Sequence, residues 1–133
     1  LRRKRCLHQP LKMKKILLNR RKRMLDVSTA ISAVTLDEAK AYLRVDHDSD
    51  DSLIEALALA CTQLCEHEIL HGIVDRDGTD GFSVDVEHVP QAIKTWILVR
   101  LAERYEVREG ATSQELKPVP WVDALLDPYR WRV

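Results

Sequence analysis

The stretch from 34 to 72, VTLDEAKAYLRVDHDSDDSLIEALALACTQLCEHEILHG, constrains the fold more than any other part of the chain. It reads as a short helix, an acidic turn and a long helix. Thr35 followed by Glu38 is a capping box: the Thr hydroxyl can take the orphan N–H at the third helical position, and the Glu can reach back to the cap's own N–H. Ala39, Tyr42 and Leu43 then recur at helical spacing, and Val45 closes the run. Residues 46–51, DHDSDD, are too polar for a core. They offer Asp48 or Ser49 as the next N-cap, with further acids in the first turn, where the helix dipole favours them. The spacing predicts a second helix from about 50 to 71, roughly 33 Å long at 1.5 Å per residue. Leu53, Ile54, Leu57, Ala58, Ala60, Cys61, Leu64 and Cys65 cover nearly half its circumference and predict the core face. Glu55, Thr62, Gln63 and Glu66 lie opposite. Leu59 and Leu70 sit on that wet side nearly in line, which marks a second contact surface.

Everything downstream reads as packing against this unit. Gly72 is the expected residue past the helix end. Residues 73–86 alternate around an Asp-Gly turn, which predicts a two-stranded β-hairpin with an exposed acidic tip. Pro90 opens a third helix that should end near Glu109, with Gly110 beyond it. Ile93, Ile97, Leu98, Leu101 and Tyr105 form one face of that helix, while Trp96 and Val99 point to the other side. A helix apolar on nearly all sides is buried on nearly all sides. Its second face must therefore meet another chain or a late segment of its own. Arg100, Arg104 and Arg108 form an i, i+4 ladder, either a solvated stripe or part of an interface. After a polar loop at 111–118, Pro120 opens a last short helix to Leu126, and Pro128 stops it. Tyr129, Arg130, Trp131 and Arg132 then lie on an extended tail, and Tyr, Trp and Arg concentrate binding energy in interfaces. The competing reading folds Trp131 back as a lid on its own core. The fold class is mainly α: three to four helices in a small bundle around the long central one, with a short β-hairpin excursion.

Three pieces of the chain, Thr35–Ala60, Val89–Glu109 and Ala124–Arg130, carry a resemblance. They hold TLDEAKAYLRVDHDSDDSLIEALALA, a Pro-led apolar helix ending in Tyr-Glu-x-Arg-Glu, and Leu-Leu-x-Pro-Tyr-Arg. In this order and spacing they resemble the head–tail connector (adaptor, or head-completion) proteins of tailed bacteriophages, over about 34 to 131. The resemblance implies a structural virion protein at the head–tail junction, made in the bacterial host cytoplasm. It would form a ring, of twelve copies by family analogy, between the portal and a tail-proximal connector or stopper protein, and line the DNA channel. It implies no enzyme activity, catalytic residue, metal or cofactor, and no membrane partner. Candidate subunit or partner contacts are Leu59, Leu70, Trp96, Val99, Arg100, Tyr129, Arg130 and Trp131.

At 133 residues the chain fits one domain. Its net charge of zero hides a division. Residues 1–25 carry eleven Lys/Arg and no acid, so residues 26–133 carry ten Lys/Arg against twenty-one Asp/Glu, a net of −11. We therefore divide the chain into a basic N-terminal arm, 1–25, and a helical connector domain, 26–133. Such an arm can neutralise phosphates without reading sequence. Arg2, Arg3, Lys4, Arg5, Arg20, Arg21, Lys22 and Arg23 are the candidate DNA-backbone contacts, and no aromatic in the arm could stack on a base. Three alternatives stand for the arm: a native extension with a helix from Leu11 to Arg23, a segment upstream of a natural start at Met24, and a loosely attached tail. Ile16-Leu17-Leu18 cannot serve as the apolar region of a signal peptide, because Asn19 and Arg20–Arg23 follow at once. No apolar run approaches the ~18 residues of a membrane span.

His67-Glu-Ile-Leu-His71 is a literal H-E-x-x-H. On a helix it would set two imidazoles one turn apart, with Glu68 as general base beside a zinc-bound water, the arrangement of a small zinc metallopeptidase. The motif falls in the last turn of its helix, and a third ligand, Glu87 or Glu103, would have to come from elsewhere in the fold. A structural zinc set of Cys61, Cys65, His67 and His71 is poorer, since 65 and 67 lie about 160° apart on a helix. Cys61 and Cys65 read instead as small buried hydrophobes, and Cys6 makes the count odd, with no disulfide framework. A third function class is a non-specific nucleic-acid binder acting through the arm.

Overall fold

The computed structural model describes residues 26–107 and 120–130. Expectations for the basic arm, for Arg108 to Pro118 and for Trp131 to Val133 lie outside the described residues. A one-turn 3-10 segment, Val27–Thr29, leads to α1 (Leu36–Leu43), α2 (Asp51–Ile69), β1 (Gly72–Val74), β2 (Gly81–Ser83), α3 (Gln91–Glu106) and α4 (Pro120–Ala124). A second 3-10 turn, Asp127–Tyr129, follows.

The capping box at the start of α1 is present. Glu38 N–H donates to Thr35 Oγ1 at 3.2 Å, and Thr35 N–H donates to Glu38 Oε2 at 2.9 Å. The second oxygen of Glu38 accepts from Lys94 Nζ at 2.7 Å, so one carboxylate caps α1 and ties it to α3. The central helix α2 packs against both α1 and α3. Ile54, Cys61, Cys65 and Ile69 meet Ile93, Trp96, Ile97 and Leu101 of α3, and Val122 and Leu126 close the core from the C-terminal side. Fully burying an Ile or Leu side chain is worth about 1.5–3 kcal/mol, so this seam between α2 and α3 dominates the stability of the domain. Cys61 and Cys65 are free thiols within it. Burial pushes their pKa values up to about 11 and about 12, so both stay protonated at neutral pH.

Several boundaries and faces differ from the sequence expectation. The long helix stops at Ile69, short of 71, and the left-handed residue that ends it is Leu70 (φ 55°) rather than Gly72. The helix begins with Asp50 in the cap position, without a side-chain cap bond, instead of Asp48 or Ser49. Its buried face is also turned relative to the hydrophobic wheel. Thr62 and Glu66 are fully buried, whereas Ala60 is exposed and Leu64 is 43% exposed. The reason is local satisfaction of polar groups. Thr62 Oγ1 accepts from Ala33 N–H at 3.2 Å and donates to the Ala58 carbonyl at 2.8 Å, while Glu66 meets a cation described below. A buried polar group with partners is tolerated where an unpaired one is not. The helix α3 ends at Glu106, three residues before the expected Glu109.

The expected β-hairpin is not an antiparallel pair. β1 and β2 run parallel, with Gly72 opposite Gly81 and Val74 opposite Ser83. The Asp-Gly turn does reverse the chain: Gly78 takes φ 81°, and Arg76 and Thr79 exchange two backbone hydrogen bonds at 3.1 and 2.9 Å. A second reversal follows at once, where Gly81 N–H donates to Asp75 Oδ1 at 2.6 Å. A Cβ on Gly81 would lie 2.6 Å from the Val74 carbonyl carbon and 2.7 Å from the Ile73 oxygen, so only glycine lets the strands approach this closely.

Candidate assembly surface

Two networks, one buried and one partly exposed, set the shape of the surface. The first joins α2 to the strand pair and to the start of the domain. Arg76 donates from Nη1 and Nη2 to Glu66 at 2.7 and 2.9 Å, from Nη2 to the Asp26 carbonyl at 2.8 Å and from Nε to Thr29 Oγ1 at 2.9 Å. Glu66 Oε1 also accepts from Ile73 N–H at 3.0 Å. This is a bidentate, desolvated ion pair, the geometry in which a guanidinium matches a carboxylate best. Sequence reading placed Glu66 on the wet face, and only the partner ten residues downstream explains its burial.

The second network covers the far face of α3. Trp96, expected at an interface with another chain, is 2% exposed because α4 of its own chain lies over it. Of the two covers the sequence allowed, the late segment is the one observed. Its indole N–H donates to Asp123 Oδ1 at 3.3 Å, and the Arg100 guanidinium lies 5.3 Å from the Trp96 ring centroid. Arg100 in turn holds Asp123 at 2.8 Å and Glu103 at 3.1 Å. Burial raises the Asp123 pKa, but the Trp96 indole and Arg100 outweigh it and hold the carboxyl below its ordinary value. Trp96 and Arg100 are thus engaged internally, and Val99 is half-buried against the same core. Between α2 and α3 a groove of about 280 Å³ remains, edged by Leu64, Arg104 and Arg130.

The other expected contact residues divide into two groups. Leu70, 52% exposed, neighbours an aromatic stack in which His71 lies 4.3 Å from Phe82, and Phe82 meets Tyr129 edge-on at 5.5 Å. Two expected contact residues 59 positions apart, Leu70 and Tyr129, are therefore linked through His71 and Phe82. Phe82 was not singled out by the sequence, since its alternation marked only a strand. Arg130 ion-pairs with Asp127 at 2.9 Å, and Trp131 lies outside the described residues. Leu59 lies about 140° round α2 from the Leu64 groove, in an apolar cleft of about 380 Å³.

The H-E-x-x-H segment lacks the geometry of a zinc site. α2 ends between the two histidines, so His67 is helical and His71 is not. His71 Nδ1 donates to the Gly72 carbonyl at 2.7 Å and its ring stacks on Phe82. Among the described residues no three His, Cys, Asp or Glu side chains gather as a metal would require. No described helix is long and apolar enough to cross a membrane.

A family model for phage gp6-like head–tail connector proteins matches residues 33–130. The chain belongs to that family. The match spans all of α1 to α4 and begins after the 3-10 turn. The crystal structure of bacteriophage HK97 gp6 shares the connector fold with a TM-score of 0.61 at 20% identity, covering 76% of this chain and 99% of that one. No curated protein sequence matches the chain. The connector family is a structural one, and its role in the phage virion is the role the chain takes by membership.

Proposed function

We propose that this connector assembles into a closed ring between the portal and a tail-proximal connector or stopper protein, with the DNA channel running through the ring. Twelve copies is the number that family analogy suggests. The observation that carries the reading is the family match over 33–130, over a span that folds as one unit and resembles a solved connector. Three features support it. The described surface has an exposed Leu64 on one flank of α2 and a half-buried apolar cleft at Leu36 and Leu59 on the other, two apolar faces such as a subunit with two neighbours requires. The acidic body, net −11, would let DNA slide past without adhering. The basic arm supplies the one strongly cationic segment, for backbone contacts through Arg2 to Arg5 and Arg20 to Arg23.

Native mass spectrometry of the purified chain is the direct test. A single oligomer at an integer multiple of 15.3 kDa, ring-shaped in negative stain, is expected. A chain that stays monomeric at every concentration and in the presence of portal refutes the ring. For the arm, DNA affinity should fall steeply with salt and vanish when residues 1–23 are deleted, and unchanged affinity would remove DNA from the list of partners.

A further inference from the structure

Residues 26–36 run back along α2 as a strap. Arg76 ties Asp26 and Thr29 to Glu66, Ala33 N–H donates to Thr62 Oγ1 at 3.2 Å, and Leu36 reaches the level of Ile54 and Ala58. Alternate residues of the strap, from Ala30 to Leu36, form one wall of the cleft of about 380 Å³, and Ile54, Ala58 and Leu59 form the other. Leu36 and Leu59 are half-buried in it. Charge at this cleft has one sign. No Lys or Arg lines it, the exposed Glu55 belongs to its edge, and the exposed Asp37 follows Leu36. Neither carboxylate has an ion pair among the described residues.

We propose that the basic arm of the same chain fills this cleft, with Ile16-Leu17-Leu18 against Leu36 and Leu59 and the flanking cations against Glu55 and Asp37, and that a neighbouring copy must displace the arm to bind there. The docking stands on the cleft itself, and the competition rests on the oligomeric reading. Residues 1–25 bring eleven Lys/Arg and no acid to a body of net −11. Within them Ile16-Leu17-Leu18 is the longest apolar run, with Lys14-Lys15 before it and Arg20–Arg23 after it. An apolar run between cations matches an apolar cleft edged by carboxylates. The tether is long enough. Residues 19–25 span up to roughly 24 Å when extended, whereas the path along α2 from Glu66 back to Leu59 is roughly 10 Å. A segment tethered this closely has an effective concentration of roughly millimolar. Partial occupancy is sufficient, because a cleft open about one tenth of the time binds a neighbour about tenfold more weakly. The arm then acts as a cover on one of the two apolar faces that assembly uses.

Photo-cross-linking of the full chain tests the docking. Leu18→benzoylphenylalanine, irradiated at a dilution where the chain is monomeric, should cross-link to peptides within 30–37 and 54–59. In an equal mixture of light and 15N-labelled chains, each cross-linked pair should be all light or all heavy. Adding Ile16→Asp and Leu17→Asp, which lie outside the 33–130 family span, should cut the yield by roughly tenfold. Leu59→Glu should do the same from the other side of the contact. Cross-links scattered over the acidic body, or unmoved by the arm substitutions, overturn the docking, since charge alone would then hold the arm. Mixed light–heavy pairs overturn it too, because the arm would then sit on another copy. Sedimentation velocity tests the competition. Deleting residues 1–23 should strengthen self-association by roughly tenfold, and unchanged or weaker association overturns it. A chain that never assembles, with or without the arm, overturns the oligomeric reading and the competition, and the cross-link alone then decides the docking.

Discussion

Two ion-pair clusters in this molecule use the same chemistry and should behave in opposite ways. Arg76 and Glu66 meet with side chains 5% and 0% exposed, and their hydrogen bonds join α2, the strand pair and residues 26–29. Lys40 bridges Asp48 and Asp51 at 2.7 and 2.8 Å across the turn from α1 to α2, but Asp48 is 90% exposed. Desolvation separates them. A buried charge that loses its partner has no water to turn to, whereas an exposed one is resolvated at once. The buried pair is therefore a structural commitment, and the exposed one a local preference.

The sharpest way to break this contrast is Arg76→Met. It strands the Glu66 carboxylate and should cost about 3–5 kcal/mol, or roughly 10–20 °C in melting temperature. Thermal unfolding by circular dichroism checks it, and a loss of only a degree or two would mean that water reaches Glu66. A second measurement separates a lost bond from a stranded charge. Adding Glu66→Leu to Arg76→Met should recover most of that loss, because an apolar pair of similar volume often replaces a buried ion pair at little cost. Some deficit should persist, since Ile73 N–H loses its acceptor. Lys40→Ala comes next in size. It should move the melting temperature by at most a few degrees at low salt, and by less in high salt, where exposed pairs are screened.

The smallest effect belongs to His88 and Asp85, 2.6 Å apart and both well exposed. The hydrogen bond and charge of Asp85 raise the His88 pKa above its usual 6.5, and the bonds from His88 lower the Asp85 pKa below its usual 3.8. The signs follow by linkage. The histidine's contribution is complete below pH 6.5 and is lost as pH rises through its folded pKa. The aspartate's is complete above pH 3.8 and is lost as pH falls through its folded pKa. A shallow stability maximum between those limits is expected. Titration of His88 by NMR should show its elevated midpoint return toward 6.5 in Asp85→Asn, and an unmoved midpoint would remove Asp85 as the cause.

Local signals were the legible ones. Thr35 and Glu38 announce their capping box within four residues, and the apolar spacing of α3 announces a helix that needs covering on two sides. What escaped the sequence depends on partners far along the chain. The hydrophobic wheel ranked Leu64 above Glu66 for burial, yet Arg76 and Ile73 make the carboxylate the better core group at that angle. The Asp-Gly turn was recognised and does form. Nothing in residues 73–86 advertises that Asp75 will capture Gly81 and reverse the chain again, turning a hairpin into a parallel pair. At the candidate surface, Leu70 and Tyr129 were found separately from their residue types. Their link through His71 and Phe82 needed three dimensions.

The four hydrogen bonds of the Arg76 guanidinium also have a mechanical meaning. By gripping the Asp26 carbonyl and the Thr29 hydroxyl, the side chain turns the first described residues into a fixed mooring, anchored to the last turn of α2 at Glu66. Tension applied to anything upstream of Asp26 would be delivered to α2 through a single side chain instead of dissipating along a slack linker. In an assembly each subunit would receive such a pull at the equivalent point. In Arg76→Met the mooring slips, and force on the N-terminus would peel residues 26–29 away before reaching the core.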